Sequence, residues 1–239
     1  MDGFTYHDIF QTKGIEYLVI IAFLIILIPF WIIINRKDII IRKIKETFGI
    51  LTSDILKIPK GVFFSNHHTW AHLEKSGVAE VGLDDWLLHL AGEVEFGQIK
   101  EKGAEIKKGE ILTQIVSKGR FLNIISPISG VVIDTNPMLR EDASIIGQDP
   151  YKKGWICKIE PSSWKSETSS FYVGEEAKQW LKIELERFKD FISISLAKNH
   201  PESSLIIMQE GGELRDHPLY DLPKDVWQDF QKIFLDSEV

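Results

Sequence analysis

Gly77-Val78-Ala79-Glu80-Val81-Gly82-Leu83-Asp84-Asp85-Trp86-Leu87-Leu88-His89-Leu90 is the stretch whose reading decides the fold. Val78–Val81 has the β-branched content of a strand. Asp84–Leu90 then reads as a short helix, with an aspartate near its start to accept from the free N–H groups. Working outward, Val94–Ile99, Ile111–Val116 and Val131–Ile133 are further strand candidates. Gly103, Gly109, Gly119 and Gly130 punctuate them at roughly ten-residue intervals, the spacing of a sandwich or barrel. The pattern alone predicts an all-β domain with one helix.

The same region carries more specific runs. They are His68-Thr69-Trp70-Ala71-His72-Leu73-Glu74, Lys108-Gly109-Glu110 before a strand, Ser126-Pro127-Ile128-Ser129-Gly130-Val131-Val132, Glu141-Asp142, Asp149-Pro150-Tyr151 and Gly154-Trp155. With these, Asn66–Trp164 resembles the H protein of the glycine cleavage system, a lipoyl carrier. The resemblance implies a mainly β fold, the barrel-sandwich hybrid of lipoyl domains, with short helices. It also implies a β-hairpin whose tip carries the modified lysine, in a motif similar to Glu-Ser-Val-Lys-Ala.

That lysine is expected eight residues before the proline of the Ser-Pro-x-Ser-Gly run, and the residue there is Gly119. Lys118 stands one position early, and Val116 replaces the acidic residue of the motif. Because strand side chains alternate faces, a one-residue displacement turns a side chain away unless the turn rearranges. A swinging arm must project toward its partner enzymes. The expectation is therefore a retained fold without a cofactor, Lys118 being an ordinary loop lysine. The alternative is a genuine carrier lipoylated on Lys118, moving aminomethyl groups or reducing equivalents between cytoplasmic enzymes.

The chain has 239 residues, 26% of them charged, and a net charge of −7, which gives no basic signal for nucleic acid. Tyr17–Ile34 is an uncharged run of 18 residues. As a helix it extends about 27 Å, close to the hydrocarbon thickness of a bilayer. Tyr17 and Trp31 lie near its ends, as interfacial anchors do. Asp2, Asp8 and Glu16 precede it and no small-residue cleavage site follows, which argues against a signal peptide. Arg36, Lys37, Arg42, Lys43 and Lys45 crowd its C-terminal flank, so the positive-inside rule predicts a single-pass anchor in the cytoplasmic membrane with the N-terminus outside. The lone Cys157 is compatible with a reducing compartment.

The expected organisation is a short outer N-terminus (1–16), an anchor (17–35), a basic juxtamembrane helix (36–58), an H-protein-like domain (59–164) and a mainly helical extension (165–239). Within the extension, Glu175–Lys198 is amphipathic, with Ala177, Leu181, Leu185, Phe188, Ile192 and Leu196 on one face, ending at His200-Pro201. Leu205–Met208 is a strand candidate, and Asp225–Leu235 a second helix with Val226, Phe230, Ile233 and Phe234 inward. The extension is expected to be an addition to an independent domain.

No catalytic constellation is legible, so the expectation is a non-enzyme. His67, His68, His72 and His89 cluster near the start of the domain. His68 and His72 are four apart, as two metal ligands on a helix would be, but no H-E-x-x-H carboxylate accompanies them and no metal is expected. Gly211-Gly212, among Glu210, Glu213 and Asp216, suits a turn and repels phosphate. Glu80, Asp84 and Asp85 lack a nucleophile, and Cys157 alternates like a buried strand residue. The expected function is a lipoyl-free docking or structural subunit, with protein partners in a membrane-associated complex, an electron-transfer complex being one candidate, and with membrane lipids.

Overall fold

The computed structural model describes residues 10–35, 49–199 and 214–236. It divides into two units, Met1–Phe48 and Gly49–Val239. In the first, α1 (Phe10–Asn35) is a 26-residue helix containing Pro29. Its apolar side chains, Leu18, Ile20, Phe23, Ile26 and Phe30 among them, are exposed. Among the described residues, no helix is long and apolar enough to cross a membrane. The basic residues Arg36–Lys45, the strand candidate Leu205–Met208, Gly211-Gly212 and the helix stop at His200-Pro201 lie outside the described residues.

The second unit is mainly β as far as Pro161 and mainly helical after it. Its strands are β1 (Ile50–Leu51), β2 (Phe63–Phe64), β3 (Thr69–Leu73), β4 (Ala79–Leu83), β5 (Glu95–Phe96), β6 (Glu105–Ile106), β7 (Ile111–Ser117), β8 (Arg120–Ile125), β9 (Gly130–Thr135), β10 (Trp155–Pro161) and β11 (Leu214–Arg215). They form a six-stranded sheet in the order β2-β3-β4-β10-β9-β6, a three-stranded sheet β5-β7-β8, and the pair β1-β11. Every named pairing is antiparallel. The helices are α2 (Asp85–Ala91), α3 (Met138–Glu141), α4 (Ile145–Gln148), α5 (Trp164–Glu167), α6 (Gly174–Asn199) and α7 (Lys224–Phe230), the last continuing as a π-turn through Leu235. Asp84 caps α2 as expected, its Oδ1 accepting from Leu87 N–H at 2.8 Å. Cys157 lies buried on β10, where burial pushes its thiol up to about 12.

Two expectations about boundaries differ from the structure. Residues 36–48 of the expected basic helix are outside the described residues, but 49–58 are not helical. Ile50 and Leu51 instead form β1, opposite Arg215 and Leu214. Leu51, Ile55 and Leu56 are buried in the common core. Apolar residues three to five apart can face a core from a strand and turn as well as from a helix, and tertiary burial decided between them. The folded unit therefore starts at Gly49, not Pro59.

The extension is likewise part of the core, not an addition. All six residues of the amphipathic face, Ala177, Leu181, Leu185, Phe188, Ile192 and Leu196, are buried. The indole of Trp86 on α2 packs against Phe188, Phe230 and Phe234, with centroids 6.0, 6.1 and 5.7 Å away. Val226, Phe230 and Phe234 face inward as expected, but Ile233 is 39% exposed. The π-turn over Gln231–Leu235 is the reason: its wider winding turns Phe234 under Phe230, in a stack of 4.9 Å, and carries Ile233 outward.

Candidate functional site

The hairpin β7–β8 closes through Lys118 and Gly119, with Ser117 paired to Arg120. Both turn residues have positive φ, 49° and 75°. This is the two-residue loop whose twist matches the strands on either side. The conformation suits Gly119 and is costly for a residue with a Cβ such as Lys118.

The C-terminal extension lies on this hairpin. The guanidinium of Arg120 donates to the backbone carbonyls of Leu222 and, at 2.7 Å, Tyr220. It also faces the ring of Trp227 at 4.9 Å. Strand β8 is the edge of its sheet, and the side-chain amide of Gln231 completes its open side. The Asn123 N–H donates to Gln231 Oε1 at 2.8 Å, and Gln231 Nε2 donates to the Asn123 carbonyl at 3.2 Å. An unpaired edge is thereby closed without another strand. The ammonium of Lys118 sits 3.6 Å above the Tyr220 ring and 3.3 Å from Asp221 Oδ1, with the side chain still 49% exposed.

The resemblance leads to the expectation of a lipoyl lysine at position 119. Gly119 offers no amine, and a lysine placed there would inherit a φ of 75°. The nearest amine, that of Lys118, is engaged with the extension's Asp221 and Tyr220.

Beside the tip opens a cleft of about 1160 Å³, lined by α2, α3, α4, β5, the hairpin turn and the segment around His217. On its wall, His89 Nδ1 lies 2.8 Å from Asp216 Oδ1, and its Nε2 lies 3.6 Å from Asp85 Oδ2. Burial alone would lower the pKa of His89, but its bonds to Asp216 and Asp85 raise it to about 9. Burial would raise that of Asp216, yet the bond to His89 holds it below the usual carboxylate value.

The other histidines part company. His68, with φ 58°, is wholly buried and stacked between Trp86 (3.8 Å) and Trp180 (5.0 Å). Its Nδ1 is 2.8 Å from Asp84 and its Nε2 is 3.7 Å from Glu184. Burial opposes protonation there, but the two carboxylates raise its pKa. Burial instead pushes His67 down to about 4, helped by His68 and Lys108. His72, on strand β3, bonds the Gly61 carbonyl at 2.9 Å. His68 and His72 are thus not paired on a helix, and each has its own partner.

The family profile of the glycine cleavage H-protein matches residues 62–184, just over half of the chain. The probable glycine cleavage system H protein of Pyrococcus abyssi is 31% identical over 126 residues, 53% of this chain and 93% of that protein. The glycine cleavage system H protein of Coprothermobacter proteolyticus is 32% identical over 126 residues, 53% of this chain and 98% of that protein. A glycine cleavage system H protein from Mycobacterium marinum, known by crystal structure, is 23% identical with a TM-score of 0.45, over 50% of this chain and 94% of that one. This chain belongs to the glycine cleavage H-protein family. The matched region ends at Glu184, inside α6, so the family part reaches beyond Trp164 but stops before the residues that cover the hairpin.

Sequence reasoning did not find the partners of this site. Arg120, Tyr220, Gln231 and Asp216 carry no motif, and they meet only because β11 returns the chain to β1. The one available signal was the acidic and aromatic content around Tyr220 and Asp221, on the far side of a long helix.

Proposed function

We propose that this protein is a lipoyl-free member of its family, serving as a non-enzymatic docking or structural subunit held at a membrane. The observation that carries the reading is the C-terminal extension resting on the carrier hairpin through Arg120, Lys118 and Gln231. The two turn residues stay exposed, but the hairpin behind them is tied to its own chain along β8, which favours a fixed surface over a freely presented arm. Anchoring is supported by the uncharged run Tyr17–Ile34, and by the exposed apolar side chains along α1. The basic flank after it supports a cytoplasmic domain.

Intact-mass spectrometry tests the lipoyl part, on full chain purified in detergent from cells supplied with lipoate. The expected mass is the unmodified one. An added lipoyl group mapped to Lys118, with function lost in Lys118→Ala, would replace this reading with that of a carrier. For the anchor, alkaline extraction of membranes should leave the chain in the pellet, and release into the supernatant would remove that part alone. A cytoplasm-active reporter fused after Val239 should be active.

A further inference from the structure

His89, Asp216 and His217 come from segments more than a hundred residues apart, yet the backbone holds them together. Asp216 N–H donates to the Gly49 carbonyl at 2.7 Å, and His217 N–H donates to the carbonyl of His89 at 2.8 Å. His217 is left-handed, with φ 59° and ψ 47°. Its approach to α2 requires Gly92, where a Cβ would stand 3.1 Å from His217 Cβ. One donor atom from each of the three side chains lies within 4.8 Å of the others.

The surroundings complete a ligand set. Nδ1 of His89 faces Asp216, while Nε2 points toward the buried carboxylate of Asp85 at 3.6 Å. The same Asp85 oxygen is held by the Lys57 backbone N–H at 2.8 Å. An imidazole with one nitrogen toward the centre and the other toward a carboxylate is the arrangement that orients metal-bound histidines. In the cleft alongside, Glu93, Glu95, Glu141 and Asp142 outnumber Lys118 and Arg140, a balance that favours cations. Two imidazoles with one carboxylate suit zinc and its transition-metal neighbours, whereas magnesium and calcium take all-oxygen sites.

We propose that His89, Asp216 and His217 bind a divalent transition-metal cation of the zinc class. The cation takes the place of the hydrogen bond between His89 Nδ1 and Asp216, and the imidazole binds it with Nδ1 unprotonated. Bonds of about 2.0–2.1 Å in a tetrahedral set bring donors to about 3.4 Å from each other. The half-exposed His217 side chain has the freedom to close that gap. The site joins the C-terminal segment to α2 and leaves the remaining coordination position toward the cleft. It is independent of whether Lys118 carries a lipoyl group.

The test is calorimetric titration of Zn²⁺ into the chelator-stripped full chain in detergent. A saturable equivalent is expected, weakened about ten-fold or more by Asp216→Asn and by His217→Asn. Asparagine tolerates the left-handed backbone, so the second variant preserves the fold. His72→Ala should bind as the parent does. Zn²⁺ should also raise the melting temperature of the parent and not of the two variants. Absence of a saturable equivalent, or binding unchanged in both variants, overturns the proposal. Co²⁺ added to the unmutated chain provides a readout without substitution. A visible band of tetrahedral intensity is expected, and a spectrum matching hexaaqua cobalt refutes the site.

Discussion

His68 and His89 each stand between two carboxylates, and the aspartates that serve them, Asp84 and Asp85, are consecutive residues at the start of α2. In both clusters the second carboxylate comes from beyond the β domain, Glu184 on α6 for one and Asp216 after β11 for the other. The first cluster is wholly buried between two indoles, while the second opens on the cleft. Burial makes the difference in role. A charge pair out of water must keep all its partners, since removing one strands the rest. A pair at a cleft wall can exchange its proton, and is available for chemistry. One helix start thus serves both a buried cluster and a cluster open to the cleft.

The comparison is broken most severely by truncation. Ending the chain after Ser166 removes Glu184, Asp216 and the aromatic rings packed on Trp86. The truncated protein is expected to lose cooperative unfolding by urea, and a sharp transition near the parent's midpoint would mean that the extension is only an addition. Next comes His68→Ala, expected to cost about 3–5 kcal/mol because Asp84 and Glu184 are left without their shared partner. Denaturant midpoints measure it, and a loss below about 1 kcal/mol would place His68 among ordinary surface residues.

His89 sharpens the contrast through pH. Its folded-state pKa is raised from 6.5 to about 9. The stability it contributes is therefore fully present below 6.5 and lost as pH rises through about 9. The groups facing it are Asp85, Asp216 and His217. Melting temperature should fall over that window, and His89→Gln should flatten the fall. An unchanged slope in that variant would assign the pH dependence to another group. The smallest effect is Lys118→Ala, expected to stay within about 0.5 kcal/mol, since a half-exposed lysine in contact with Asp221 contributes little. A larger loss would show that the turn lysine secures the extension.

Local signals were legible where the physics is local. The strand pattern around Val78–Val81, the Asp84 cap and the buried stripe Ala177–Leu196 follow from periodicity and capping. The family motifs located the hairpin, which closes through Lys118 and Gly119. The strand β1 was not legible, because two residues carry no period and their partner, β11, lies more than 160 positions away. Ile233 was misassigned because a π-turn shifts the phase of a helix without a sequence mark.

The sequence by itself determined the class of fold, the Lys118-Gly119 pair at the hairpin turn and the long uncharged run near the N-terminus. Each of these is a property of residue identity and spacing along one segment. Only the tertiary structure decided that the extension covers the hairpin, that Asp84 and Asp85 serve different histidines, and that His89, Asp216 and His217 meet. Those contacts join segments that are far apart in the chain. They exist because β1 pairs with β11 and because the aromatic core draws α6 and α7 onto α2, where the burial of Trp86, Phe188 and Phe230 outweighs the entropy of closing the long loops between them.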